Sequence, residues 1–116
     1  MSIAKTEKKS SLDRQALERI AETFKLFGDA TRLAILQSLR EGPRPVGELV
    51  ETLGTTQANI SKHLRILYEG GLVAREKRGM QVFYSIDSQI VFPLCELVCG
   101  KLNRATEAAN QITFDI

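Results

Sequence analysis

The stretch VGELVETLGTTQANISKHLRILY, residues 46–68, reads as two short helices around a tight turn. In the first, residues 46–53, Val46, Leu49, Val50 and Leu53 recur at helical spacing and face inward. Gly54 ends that helix, and Thr56 caps a second one that runs to about Tyr68. Two helices joined by three or four residues that include a glycine form a helix-turn-helix unit.

The second helix has two distinct sides. With about 100° per residue, Ile60, Leu64 and Leu67 centre one face. Ala58, Lys62 and Arg65 fall opposite, Asn59, Ser61 and Ile66 flank them, and Gln57 sits at the open N-terminal end. The outward face is short, polar and basic, with Ile66 its only large apolar member. Such a face fits a DNA major groove about 12 Å wide, where Gln and Asn pair with adenine and Lys, Arg and Ser reach bases or phosphates. The positive end of the helix dipole favours nearby phosphate. The candidate DNA-contacting residues of this helix are Thr56, Gln57, Ala58, Asn59, Ser61, Lys62, His63 and Arg65. His63, the only histidine, lies at the margin of the apolar face, so a partly buried, internally hydrogen-bonded ring competes with a DNA contact; a metal ligand is the weaker option, with no Cys or Asp at ligand spacing.

Outward from this unit the periodicity changes. Residues 72–78 and 81–86, rich in Val, Phe, Tyr and Ile and separated by Gly79-Met80, read as a β-hairpin. Lys77, Arg78 and Gln81 around its turn are candidates to lie along a phosphate backbone or in a minor groove; a merely solubilising tip is the alternative. Upstream, a helix is expected from residue 10 or 11 to 27 through Leu12, Ala16, Leu17, Ile20, Phe24 and Phe27, with Ser10 and Asp13 at capping-box spacing. Gly28 stops it. Asp29 caps a helix over 30–40 whose Leu33, Leu36 and Leu39 face the core with Ile35 at their edge, and Gly42, Pro43 and Pro45 break it. A last helix is expected from residue 87 or 88 through 109, with Pro93 tolerated in its first turn. The expected fold is mainly α with a β-hairpin wing, order α-α-α-α-β-β-α: a winged helix-turn-helix. Residues 1–10 read as a flexible tail and 11–116 as a single domain.

Composition agrees. The 116 residues are 43% hydrophobic and 26% charged, the values of an ordinary globular chain. No apolar run approaches the roughly 20 residues of a membrane span, and residues 1–11 lack a signal peptide's apolar core, so no membrane partner and a cytoplasmic location are expected. The net charge is only +2, but residues 56–86 hold five basic residues against two acidic ones while the remainder is slightly acidic. That local excess suits a polyanionic partner; the alternative is an incidentally basic solvated face. Two cysteines are too few for a disulfide scaffold and remain available as thiols.

The segments Leu26-Phe27-Gly28-Asp29-Ala30-Thr31-Arg32-Leu33-Ala34-Ile35-Leu36, Gln57-Ala58-Asn59-Ile60-Ser61-Lys62-His63-Leu64-Arg65-Ile66-Leu67, Gly70-Gly71-Leu72-Val73 and Arg78-Gly79-Met80-Gln81-Val82-Phe83-Tyr84, with the helix over 46–53, together resemble the arsenic-repressor family, the ArsR/SmtB-type winged-helix metalloregulators. The resemblance covers about residues 26–86. It implies a homodimeric repressor that joins through its first and last helices, docks two recognition helices on a palindromic double-stranded operator, and loses DNA affinity on binding a small inducer. The apolar last helix, with Ile90, Val91, Phe92, Leu94, Leu97, Val98, Leu102 and Ala105, suits burial against a second protomer.

The inducer sites of the family do not all carry over. The Cys-x-Cys of its third helix is replaced by Glu48-Leu49-Val50-Glu51, without a thiol. Of the Asp and His ligands on its last helix, Asp87 matches the first, Gln89 replaces the next and no histidine follows. Cys95 and Cys99 remain. Spaced i, i+4, they share a helix face about 6 Å apart. Thiolates suit thiophilic ions, and family members that sense arsenic through last-helix cysteines make arsenite or antimonite the leading inducer. A third thiolate would have to come from the partner chain; otherwise two sulfurs suffice. Competing readings are a redox, persulfide or polysulfide switch, a Zn or Cd site with few further ligands in view, or plain core cysteines. No cofactor is obligatory. One histidine, no glycine-rich phosphate loop and no acid–base pair argue against an enzyme; a winged helix that contacts only proteins, or a regulator that senses nothing, are the remaining alternatives.

Overall fold

The computed structural model describes residues 13–106 and 113–116. Among them run five helices and three strands: α1 Arg14–Leu26, α2 Ala30–Ser38, β1 Arg44–Pro45, α3 Val46–Leu53, α4 Gln57–Glu69, β2 Val73–Arg78, β3 Gln81–Ile86 and α5 Val91–Thr106. This is the expected winged helix-turn-helix with one added strand.

The helix starts are set by side-chain caps. Asp13 accepts from the Ala16 amide at 2.8 Å, Asp29 from Arg32 at 3.1 Å and Thr56 from Asn59 at 3.1 Å, each satisfying a backbone donor that has no partner within the helix. Asp13 therefore caps α1; the capping box expected with Ser10, like the tail over 1–10, lies outside the described residues. The α3–α4 turn uses Gly54 in the left-handed region, φ 66°, as the C-cap of α3.

The wing differs from expectation. It has three antiparallel strands in the order β1-β3-β2, because Arg44 and Pro45 pair with Tyr84 and Phe83. Two prolines had marked this segment as a breaker only. An edge strand tolerates Pro45 because one of its sides needs no amide donor. The β2–β3 hairpin keeps the expected register, Arg78 opposite Gln81, around Gly79 at φ 60°.

Two other expectations shift. Ile35 is fully buried beside Leu36 and Leu39, whereas Leu33 is half-buried; Ile35 is a centre of the α2 face, not its edge. The last helix starts at Val91, not at 87 or 88. Asp87 still donates its amide to the Leu72 carbonyl at 2.9 Å, and the Ser88 hydroxyl accepts from Ile90 within a turn. Pro93 stands in the first turn of α5, where its missing amide leaves no bond unmade. The far end expected at Ala109 lies outside the described residues.

The core joins Ile35, Leu36 and Leu39 of α2, Leu49 of α3, Ile60, Leu64 and Leu67 of α4, Leu72 and Val73 at the start of the wing, and Val91 of α5. Arg32 locks the surrounding pieces. Its Nε donates to the Leu26 carbonyl at 3.0 Å and Nη2 to that of Lys25 at 2.8 Å, the free end of α1, while Nη1 meets His63 Nδ1 on α4 at 3.1 Å. A guanidinium only donates, so Nδ1 accepts and the ring proton sits on Nε2. Leu26 also seats on Gly70, where a Cβ would fall 2.5 Å from its Cδ1.

Replacing Arg32 by Met keeps the stem and deletes all three bonds. Leaving those acceptors unpaired costs about 1–3 kcal/mol. Urea denaturation of Arg32→Met is expected to show a loss in that range; a change within about 0.5 kcal/mol, the ordinary surface value, would contradict the role of this clamp.

Candidate nucleic-acid interface and thiol cavity

The outward face of α4 is assembled as its periodicity implies. Gln57, Ala58, Ser61, Lys62 and Arg65 are exposed, with Thr56 at the helix start. Among the described residues Lys62 makes no ion pair. Arg65 donates to Glu69 one turn on, at 3.0 Å, with both side chains largely in solvent. Exposed pairs of this kind contribute about 0–1 kcal/mol, so Arg65 can exchange Glu69 for a phosphate at little cost. Asn59 is half-buried, and its carboxamide donates to Thr55 Oγ1 at 3.1 Å, which leaves its oxygen free of that bond. Ile66, the apolar outlier, is half-buried and lines a groove together with Ile20, Thr23 and Leu26 of α1.

His63 departs from the DNA-facing set. It is only 7% exposed, faces Arg32 and lies 3.8 Å from Asp29. Its place at the margin of the apolar face turns it inward, so it supports α4 from behind instead of reaching out. The carboxyl of Asp29 is held below its usual range first by the Arg32 amide, with the charge of the Arg32 guanidinium adding to it. A carboxyl lowered in this way stabilises the fold at neutral pH and loses that contribution as the pH falls through its folded value.

In the wing, Lys77, Arg78 and Gln81 are exposed near the tip, as expected. Arg78 donates to Glu76 at 3.0 Å and covers the Phe83 ring at 4.7 Å. Arg75, a further basic residue of the hairpin, lies 4.0 Å over the Tyr68 ring. That cation–π contact fastens the wing to the last turn of α4. The Tyr84 hydroxyl, and Tyr68 after it, push its pKa further up, so it remains charged. A basic residue paired across elements leaves no local sequence signal, whereas Lys77 and Arg78 were legible from their places beside the turn.

The two cysteines meet at a different place. Cys95 and Cys99 both line a cavity of about 580 Å3 whose walls come from α1, α2, α5 and the C-terminal segment 113–116. Phe24, Phe27, Leu33, Leu94, Val98 and Phe114 make it almost wholly apolar. Asn103 holds the C-terminal wall through both ends of its carboxamide, donating to the Phe114 carbonyl at 3.0 Å and accepting its amide at 2.8 Å. Arg40 donates to the Ile116 carbonyl at 2.9 Å. Nothing in the composition or spacing of residues 113–116 announces this wall. Cys95 is 6% exposed and Cys99 half-buried. Burial first, and the neighbouring Cys99 second, push the Cys95 thiol up. Asp87 has no partner ligands beside it: among the described residues no three His, Cys, Asp or Glu side chains gather closely enough to hold a metal ion. None of the described helices is long and apolar enough to cross a membrane.

The family model for bacterial regulatory proteins of the arsR family matches residues 29–75, from the cap of α2 to the start of the wing. The HTH-type transcriptional regulator NmtR of Mycobacterium tuberculosis is 40% identical over 75 residues, 65% of this chain and 62% of that protein, so the match spans less than two thirds of it. An uncharacterised HTH-type transcriptional regulator of Methanocaldococcus jannaschii is 43% identical over 82 residues, 70% of this chain and 92% of that one. Among solved structures, a homodimeric winged helix-turn-helix DNA-binding domain from Mycobacterium bovis, described as a possible ArsR-family transcriptional regulator, superimposes with a TM-score of 0.72 at 29% identity, covering 88% of this chain and 96% of that one.

The thiols should differ in reactivity. Alkylating agents attack the thiolate, so Cys99 is expected to be modified by iodoacetamide before Cys95, and Cys95 to accelerate only above the ordinary thiol range of pH. Peptide mass mapping over a pH series reads this order; equal rates at every pH would contradict the placement of Cys95.

Proposed function

This chain belongs to the arsR family of bacterial regulatory proteins, and from that premise we propose that it is a homodimeric transcriptional repressor released from a palindromic operator when trivalent arsenic or antimony binds Cys95 and Cys99. The observation that carries the DNA reading is the exposed polar face of α4, with Lys62 and Arg65 beside the wing residues Lys77, Arg78 and Gln81. Two such faces, one per protomer, suit the two half-sites of a palindrome.

A dimer is supported by what a single chain leaves uncovered. No residue of α1 is buried, and Leu17, Ile20 and Phe24 stand exposed, Phe24 at 60%. Leu97 and Val98 of α5 are exposed too, Leu97 at 72%. Apolar faces of this kind mark interaction surfaces, and they lie on the two helices that the family uses for dimerisation.

The sensing reading is supported by both thiols lining one cavity. A trivalent arsenic or antimony hydroxide condenses with thiols: each As–S bond replaces an As–O bond, and the thiol proton leaves with the hydroxide as water. The step starts from thiols, so it suits Cys95, whose burial disfavours the thiolate that a peroxide- or sulfide-sensing cysteine needs. A third ligand would come from the partner chain or solvent. Ligation would change the packing of α5 in the cavity it shares with α1 and α2, and Arg32 of α2 is bonded both to the end of α1 and to His63 of α4.

Lys62→Ala and Arg65→Ala are each expected to weaken operator binding without unfolding the protein, and to lower the salt slope by about one unit. Unchanged affinity for both in a mobility-shift assay would refute the assignment of α4. Arsenite is expected to release operator from the reduced protein but not from Cys95→Ser or Cys99→Ser; release from the double variant would eliminate these thiols as the sensor.

A further inference from the structure

We propose that Met80, at the tip of the wing, is a wedge that enters the DNA minor groove next to the α4 site and partly unstacks one base step. The inference rests on the reading of this chain as DNA-binding and adds an apolar contact to the polar ones already named.

The placement comes from the turn. Arg78 and Gln81 are the last cross-strand partners, so Gly79 and Met80 alone make the bend. Gly79 takes φ 60°, and among the described residues no non-glycine has a positive φ. A glycine of this kind followed by a residue of ordinary φ is the type II′ arrangement, whose twist matches that of the strands. The Met80 side chain therefore leaves from the extreme end of the hairpin and is 97% exposed. A turn that only has to be solvated takes Asn, Asp, Ser or Gly at such a place. Most of the other exposed large apolar side chains lie on α1 and α5, the helices proposed to join the protomers. Met80 stands among polar groups instead, with Lys77 and Arg78 before it and Gln81 after it, all exposed.

A wedge needs charge around it and a stiff support behind it. Lys77 and Arg78 supply cations for the phosphates that border a groove, and Gln81 supplies a donor and an acceptor for base edges. The Arg78 partner, Glu76 at 3.0 Å, is largely in solvent, so a phosphate can take its place. Arg75 over Tyr68 fixes the wing to α4, Arg78 lies over Phe83, and β1 adds a third strand beside β3. From the Arg75 anchor the hairpin extends about 17 Å to its tip. That length is about half a turn of B-DNA, the step from a major groove to the minor groove beside it. The minor groove is about 6 Å wide and admits an unbranched thioether. Apolar side chains inserted there, Met among them, part neighbouring base pairs and kink the duplex. Pyrimidine–purine steps yield most readily, so position 80 selects for deformability where α4 selects for base edges.

The test uses the reduced full chain and an operator that it selects from a pool of random duplexes, with 2-aminopurine placed at successive positions outside the α4 contacts. Unstacking relieves the quenching of this base, so its fluorescence reports a wedge directly. The wild-type chain is expected to raise the signal at one step in each half-site. It is expected to bind about tenfold more weakly when a pyrimidine–purine step there is replaced by a purine–purine step. Met80→Ala is expected to lose both the rise and the step preference, and Met80→Leu, apolar and of similar size, to restore them; circular dichroism checks that both are folded. No rise at any position, or a rise or step preference that Met80→Ala retains, overturns the wedge and leaves the α4 assignment standing. Failure of the chain to enrich any duplex overturns the DNA reading, and this inference with it.

Discussion

The Arg32 guanidinium is the constraint on which the rest of the molecule leans. One side chain from α2 closes the open carbonyls of Lys25 and Leu26 at the end of α1 and meets the ring of His63 in the middle of α4. α1 has no buried residue of its own. It is attached to the body of the chain by this clamp, by the packing of Leu26 against the core and by the seat of Leu26 on Gly70. Because Arg32 reaches the helix with the exposed basic face from behind, α1 and α4 cannot shift independently without breaking charge-assisted hydrogen bonds, which are roughly twice as strong as neutral ones.

The same economy shapes the surfaces. The core packs around one face of α4, the α2 face centred on Ile35 and Leu36, and the start of the wing. That leaves the opposite face of α4 free for polar residues and leaves α1 and α5 with apolar surface uncovered. A chain of this size buries a modest share of its surface, so a second copy is a natural completion of its core. The thiol cavity lies between these two regions, walled by α1 and α5 on one side and by α2 on the other. A ligand there touches both the helices proposed to join the protomers and the helix that carries the Arg32 clamp. Allosteric coupling requires two sites that bias one bistable arrangement, and under the proposed function this placement would be the link between them.

Much of this was legible in residue order. Helical periodicity located the α3–α4 unit, Thr56 caps α4 and Asp29 caps α2 as side-chain chemistry demands. The polar face of α4 follows from 100° steps, and the hairpin register follows from its two-residue turn. What escaped was long-range. Arg44 and Pro45 form a strand only because Phe83 and Tyr84 lie alongside, and no local preference announces that partner. His63 sits at a boundary angle, where a few degrees of helix rotation choose between solvent and Arg32. Ile35 replaced Leu33 at the core for the same reason. Arg75 against Tyr68, and Phe114 against Asn103, join residues whose pairing depends on tertiary folding alone.

Reciprocity gives the most direct test of the central claim, that ligation of Cys95 and Cys99 and occupation of the α4 face oppose each other. The measurement is the affinity of the reduced protein for a trivalent arsenical, free and with its operator bound. Linkage requires operator to weaken arsenical binding by the same factor by which the arsenical weakens operator binding, about 5–150-fold for a typical coupling of 1–3 kcal/mol. A drop of that order is expected. Equal affinity in the presence and absence of operator would contradict the account.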